Sequence, residues 1–165
     1  MKYREKFKAF LVESREKKGV KDVDLNTLDE GNVLINVSYS SFNYKDGLAI
    51  TGKIPIIRRF PMIPGVDFCG TVIESQDKKF KSGDKVILNG WGVGEKHTGG
   101  FSQIARVNSK WLINLPAKIS DKESMIIGSA GYTAALCVME IQNKINLNEK
   151  YLLNLGTNTR AAIVN

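Results

Sequence analysis

Phe60-Pro61-Met62-Ile63-Pro64-Gly65-Val66-Asp67-Phe68-Cys69-Gly70-Thr71-Val72 is the stretch on which the fold turns. A lead-in punctuated by proline and glycine gives way at Val66 to an apolar run, so residues 66–74 are expected to form a strand. Upstream, Val33, Ile35, Val37 and Tyr39 recur at every second position, the period of a pleated strand, which places a stronger one at residues 32–40. Residues 7–14 read as a first strand, and the polar, turn-rich residues 19–31 connect the two. Downstream, Lys81-Ser82-Gly83-Asp84 carries the Gly and Asp types that accept positive φ or hydrogen-bond to their own backbone. That turn delivers the chain into a strand at residues 85–89. Residues 90–100 hold five glycines and read as a loop, and residues 101–107 and 111–115 read as two more strands, closed by Pro116. Short strands at this spacing predict a compact β-barrel or sandwich.

The pattern changes after Pro116. Ser120-Asp121-Lys122-Glu123 has the form of a capping box, in which the serine oxygen takes one orphan amide and the glutamate reaches back to another. Residues 124–145 then have helical composition, with an apolar face through Met125, Tyr132, Leu136, Met139 and Ile145 and weak points at Gly128 and Gly131. A helix broken near those glycines is expected, followed by a short strand at residues 150–155.

At 165 residues, 42% hydrophobic and 25% charged, the chain has the make-up of an ordinary globular protein. Its apolar runs, such as residues 125–127 and 134–138, fall short of the roughly 20 residues of a membrane span, and no secretory signal pattern opens the sequence. A cytoplasmic protein with no membrane partner is expected. The net charge of +7 raises nucleic acid as a partner. The lysines, however, are scattered and interleaved with acids, so the expectation is no nucleic acid. Cys69 and Cys137 have no second Cys or His at ligand spacing and are expected to be reduced and buried.

Four segments in one order carry a family resemblance: Ser41-Phe42-Asn43-Tyr44-Lys45-Asp46; the stretch from Phe60 to Val72 quoted above; Gly90-Trp91-Gly92-Val93-Gly94-Glu95; and Met125-Ile126-Ile127-Gly128-Ser129-Ala130-Gly131-Tyr132-Thr133-Ala134. Together the chain resembles the acryloyl-CoA reductase branch of the quinone oxidoreductase-like, zinc-independent medium-chain dehydrogenase/reductase superfamily. The resemblance implies a mainly β fold, a GroES-like β-barrel with a C-terminal helix. The implied division is a catalytic barrel over residues 1–119, an interdomain helix over 120–147, and over 148–165 a truncated start of the Rossmann domain or an aberrant tail. The implied activity is NADPH-dependent reduction of an activated C=C bond, acryloyl-CoA to propionyl-CoA or a quinone-like acceptor.

By the same resemblance Tyr44 touches the nicotinamide side of the cofactor, and its phenol is placed to donate a proton to an enolate; packing at a strand end is the alternative. For Asn43 and Asp46 a catalytic role and a backbone-fixing role stand side by side, since both residue types cap turns. Thr133 approaches the nicotinamide or simply permits close helix packing. Trp91 walls the substrate pocket or packs in the core. Arg58 and Arg59 suit the phosphates of CoA, or form a solvated loop pair. Metal-dependent relatives carry Cys and His ligands where this chain has Asn43 and Val66. Asp67 alone cannot supply the three protein ligands of a catalytic zinc, so no metal is expected. His97, the sole histidine, is expected to be exposed and idle.

A dinucleotide site needs a strand followed by Gly-x-Gly-x-x-Gly opening a helix. Here Gly156 alone follows residues 151–155. The chain is therefore expected to bind no cofactor tightly, to be inactive alone, and to associate into a homo-oligomer through an uncovered helix face. The alternative is a stand-alone binding or assembly module without redox chemistry.

Overall fold

The computed structural model describes residues 6–144. Strands β1 (Phe7–Val12) and β2 (Lys18–Val23) form an antiparallel hairpin. Strand β3 (Val33–Ser40), helix α1 (Tyr44–Thr51), strands β4 (Asp67–Ser75), β5 (Lys85–Asn89), β6 (Ile104–Val107) and β7 (Ile113–Asn114), and helix α2 (Asp121–Lys144) follow. Five of the strands make an antiparallel sheet in the order β6-β3-β4-β5-β7. The hairpin is stitched to the rest by bridges at Ala9–Ser102 and Val12–Met62.

Alternation along the strands builds three cores. Val33 and Ile35 on β3, Phe68 and Val72 on β4, and Val86 and Leu88 on β5 share the barrel interior with Phe80, Val107 and Leu112. Leu34, one step out of phase, faces the other way and packs with Phe7, Ala9, Leu11, Val23 and Ile63 under the hairpin. Cys69 and Ile87, out of phase with Phe68 and Leu88, meet Met125 of α2. A sheet buried on both faces explains why residues 66–72 read as a nearly continuous apolar run. Each large side chain so buried contributes about 1.5–3 kcal/mol.

The differences from the sequence reading have identifiable causes. Residues 19–31 are not simply a connection, since they contain most of β2. That strand alternates lysine and aspartate outward and leaves Val20 exposed, which disguises it as a polar turn. Residues 101–103 precede β6, and residues 111–115 reduce to the end of a 3-10 turn (Ser109–Trp111) and two residues of β7. The segment after β3 is an unexpected helix, α1.

Helix α2 opens on the expected capping box. Ser120 Oγ accepts from the Glu123 amide at 3.2 Å, and Glu123 Oε2 accepts from the Ser120 amide at 2.8 Å. It kinks at Gly128 (φ 51°, ψ −165°), a conformation that only glycine takes readily. The expected apolar face is not the buried one. Met125 is buried against Cys69 and Ile87 of the sheet and Ala134 is also buried, but Tyr132, Leu136 and Met139 are exposed. The kink resets the helical phase between Met125 and Tyr132, turning the later stripe away. Ile145 and the strand expected at residues 150–155 lie outside the described residues.

Short apolar runs do not preclude a long, mostly apolar helix. Residues 121–143 form a helix long and apolar enough, by length and composition, to cross a membrane. It reaches that length with Gly128, Ser129, Gly131 and Thr133 inside it, which is why no unbroken apolar run betrayed it.

Candidate functional site

Two buried aspartates organise the region between β3, α1 and α2. Asn43 is the N-cap of α1 in extended conformation, and Asp46, in its first turn, accepts the Asn43 amide at 2.8 Å. The other Asp46 oxygen accepts the amides of Gly65 at 3.2 Å and Val66 at 3.1 Å. Asp46 thus clamps the end of the Pro-Gly lead-in to the start of α1. Of its two expected roles the backbone-fixing one is what the geometry provides. Burial pushes its carboxyl above the usual range, against the pull of those backbone donors.

Asp67, at the start of β4, is fully buried. Its Oδ2 accepts from Ser41 Oγ at 2.8 Å, Asn43 Nδ2 at 3.0 Å and the Ser129 amide at 2.7 Å, and its Oδ1 accepts from Ser129 Oγ at 2.5 Å. Two segments, residues 41–43 and the second half of α2, therefore converge on one carboxylate of β4. The kink at Gly128 exposes the Ser129 amide, and the second half of α2 begins on the carboxylate, which also complements the helix dipole. A Cβ at Gly128 would stand 3.1 Å from Asp67 Oδ2 and from Ser41 Oγ, so the close approach requires glycine. Sequence reasoning weighed Asp67 only as a metal ligand and missed this role, along with Ser41 and Ser129. An acid between Val66 and Phe68 in a buried strand was the available signal, because buried charge demands partners. Among the described residues no group of three His, Cys, Asp or Glu is gathered as a metal site.

Around this polar knot the other expected residues stand at the surface. Tyr44 is 63% exposed at the first position of α1. Phe42, just before it, is exposed and stacks on Phe101 with ring centroids 5.8 Å apart. Trp91 is 63% exposed, not core. It is also the one non-glycine residue at positive φ (58°) among the described residues. Thr133 is exposed on α2, one turn beyond Ser129. The loop bearing Trp91 is joined to α1 by an ion pair that sequence reading missed, Lys45 Nζ to Glu95 Oε1 at 2.6 Å.

Arg58 and Arg59 part company. Arg59 pairs with Asp29 and donates to the Pro61 carbonyl at 3.4 Å, whereas the Arg58 side chain is exposed, with its amide held by the Glu95 carbonyl at 2.9 Å. His97 is not idle. Its ring nitrogens lie 2.9 Å from the Glu30 carbonyl and 3.1 Å from that of Thr98, and its ring meets Trp111 edge-on. Cys69 is a buried free thiol, raised by burial and bonded to the Asp121 carbonyl; Cys137 is free and half-buried.

Residues 29–117 match the alcohol dehydrogenase GroES-like domain. The chain belongs to this family. It is 51% identical over 138 residues to the Escherichia coli K12 protein named probable acrylyl-CoA reductase AcuI, covering 82% of this chain and 43% of that protein. It is 44% identical over 142 residues to the acrylyl-CoA reductase AcuI of Ruegeria pomeroyi, covering 83% and 43%. Quinone oxidoreductases stand among the more distant relatives. In three dimensions it superimposes on the yhdH oxidoreductase of Salmonella enterica, solved in complex with NADP, with TM-score 0.80 and 50% identity over 82% of this chain and 43% of that one. The chain thus spans less than half the length of these relatives.

Proposed function

We propose that residues 1–119 are the substrate-side barrel of an NADPH-dependent reductase of activated C=C bonds, acting on acryloyl-CoA or a close enoyl thioester, with residues 120–147 the helix that leads to its nucleotide-binding half. The observation that carries this reading is the Asp67 knot, which fixes Asn43, and with it the exposed Tyr44, against the helix that bears Thr133. Reduction adds hydride to the β-carbon of the thioester, and the enolate that develops needs a hydrogen-bond donor and a proton. Tyr44 is the donor in this reading. Its phenol makes no hydrogen bond among the described residues, and the exposed Phe42 and Trp91, on segments joined by the Lys45–Glu95 ion pair, offer aromatic surface to a flat acyl group.

When bound, NADPH supplies the hydride. Tyr44 and Thr133 suit its nicotinamide end, whereas the Gly-x-Gly-x-x-Gly turn that would hold its diphosphate does not occur in this sequence. The polypeptide alone is therefore expected to show no NADPH-dependent turnover. The exposed Ile126, Tyr132, Leu136 and Met139 of α2 mark the face that the nucleotide-binding half covers, or a second copy in the isolated chain. The assembled enzyme is a water-soluble cytoplasmic protein in this reading.

A barrel exchange tests the proposal. Residues 1–144 are fused to the remaining portion of the Escherichia coli relative, and NADPH oxidation is followed with acryloyl-CoA and with a benzoquinone. The expected result is turnover of the thioester, lowered in kcat about 100-fold by Tyr44→Phe. A chimera that folds and binds NADPH yet leaves acryloyl-CoA untouched defeats the reading. Preference for the quinone moves the substrate class to the other branch.

A further inference from the structure

We infer that Arg58, Lys96 and Trp91 form a recognition element for a phosphorylated adenosine, the carrier end of a CoA thioester, on the outer rim of the barrel. The loop at residues 90–97 is held from several sides. The Glu95 carbonyl accepts the Arg58 amide at 2.9 Å, and the Glu95 carboxylate holds Lys45 at 2.6 Å. The Lys96 amide bonds to the Gly92 carbonyl at 3.0 Å, and the Gly94 amide to that of His97 at 2.7 Å. Gly94 sits so close to the Pro64-Gly65 backbone that a Cβ there would meet the Gly65 nitrogen at 3.0 Å. Gly65 is itself fixed by Asp46. The rim is rigid before any ligand arrives, which lowers the ordering cost of binding.

Charge on this rim is unbalanced. Glu95 is the only acid in the loop, and Lys45 already occupies it. Arg58 and Lys96 are both exposed, and no side-chain hydrogen bond or ion pair engages either among the described residues. Arg59 is excluded because Asp29 takes it. The Lys96 stem runs beside the Trp91 segment, its Cδ 4.0 Å from where a Gly92 Cβ would stand. Trp91 meanwhile holds an exposed indole in a left-handed conformation that bulky residues rarely adopt. Strain of this kind concentrates where a side chain must be presented to a ligand. A guanidinium fork and an ammonium suit phosphate oxygens, and an exposed indole suits a purine face. A quinone offers neither partner.

The inference rests on the reductase reading for its choice of acyl carrier, and its test is independent of turnover. CoA is titrated into the 165-residue chain by calorimetry and by amide chemical-shift mapping. Saturable binding is expected, with shifts at Trp91, Glu95 and Lys96. The affinity should fall at least tenfold in Arg58→Ala and in Lys96→Ala, fall with added salt, and stay unchanged in Arg59→Ala. Pantetheine, which lacks the phosphates and adenine, should bind at least tenfold more weakly than CoA. Absence of binding, equal affinity for pantetheine, or insensitivity to both substitutions overturns the assignment. NADP binding to the same residues more tightly than CoA overturns it too, by giving the rim to the dinucleotide. If CoA behaves as expected while the chimera fails to reduce acryloyl-CoA, the reductase reading falls and the rim stands; the opposite pair of results removes the rim alone.

Discussion

Phe68 on β4 and Leu136 on α2 are both large apolar residues, yet the first is completely buried and the second is 48% exposed. The contrast extends to their surroundings. In the barrel Val33, Ile35, Val72, Val86, Leu88 and Val107 close on Phe68 from four strands, so this region supplies its own core. On α2 only Met125 and Ala134 are buried apolar residues, and polar links hold the helix: the Ser129–Asp67 bonds and the ion pair between Lys85 and Asp121. The barrel is a fold in itself, whereas α2 is an arm fastened by hydrogen bonds with an apolar face left to present.

The comparison breaks first, if it breaks, at the barrel core. Phe68→Ala should cost about 3–5 kcal/mol in urea unfolding, as a cavity in a close-packed interior does; a cost below 1 kcal/mol would mean that the barrel is not the stable unit. Gly128→Ala should cost about 1–3 kcal/mol, because alanine is forced to a positive φ with an extended ψ that is essentially glycine's alone, beside Asp67. Amide exchange should show faster opening in α2 with the barrel strands unchanged, and loss spread evenly over both would contradict the fastened arm.

A pH series sharpens the role of Asp46. Burial raises its carboxyl in the folded chain, so the native state holds that proton more firmly than the unfolded chain. Its contribution to stability should therefore grow as pH falls through the folded pKa and level off below the unfolded one. Measured as wild type minus Asp46→Asn, the difference should rise on acidification; a falling difference reverses the sign and the assigned cause. The smallest effect belongs to Leu136→Ala, within about 0.5 kcal/mol for a monomer. A loss of 2 kcal/mol or more, dependent on protein concentration, would show that a second copy covers the face.

Much of the barrel was legible because strand periodicity and turn chemistry are local. Val33-Leu34-Ile35 and Asp67 to Val72 announced buried strands, and Ser120 with Glu123 announced the start of α2. Strand β2 was not legible, since an edge strand with lysines outward has the composition of a loop. Helix α1 was hidden because eight residues are too few for a periodic signal. At the site, Tyr44 and Trp91 were singled out, and both lie at the surface, so Trp91 is not the core residue of its alternative reading. Asp67, Ser129 and Glu95 were passed over, because each acts on a residue dozens of positions away and no local pattern marks such a partner.

The amino-acid sequence alone determined the β-rich barrel, the helix that follows it, the glycine at the kink and the family to which the order of motifs points. These are consequences of side-chain period, turn conformation and capping, which operate within a few residues. The tertiary structure decided which aspartate clamps a turn and which ties three segments, which of two neighbouring arginines is free, and which face of α2 is bare. Those outcomes depend on distances between remote residues and on the phase reset at Gly128, and both come into being only when the chain closes on itself.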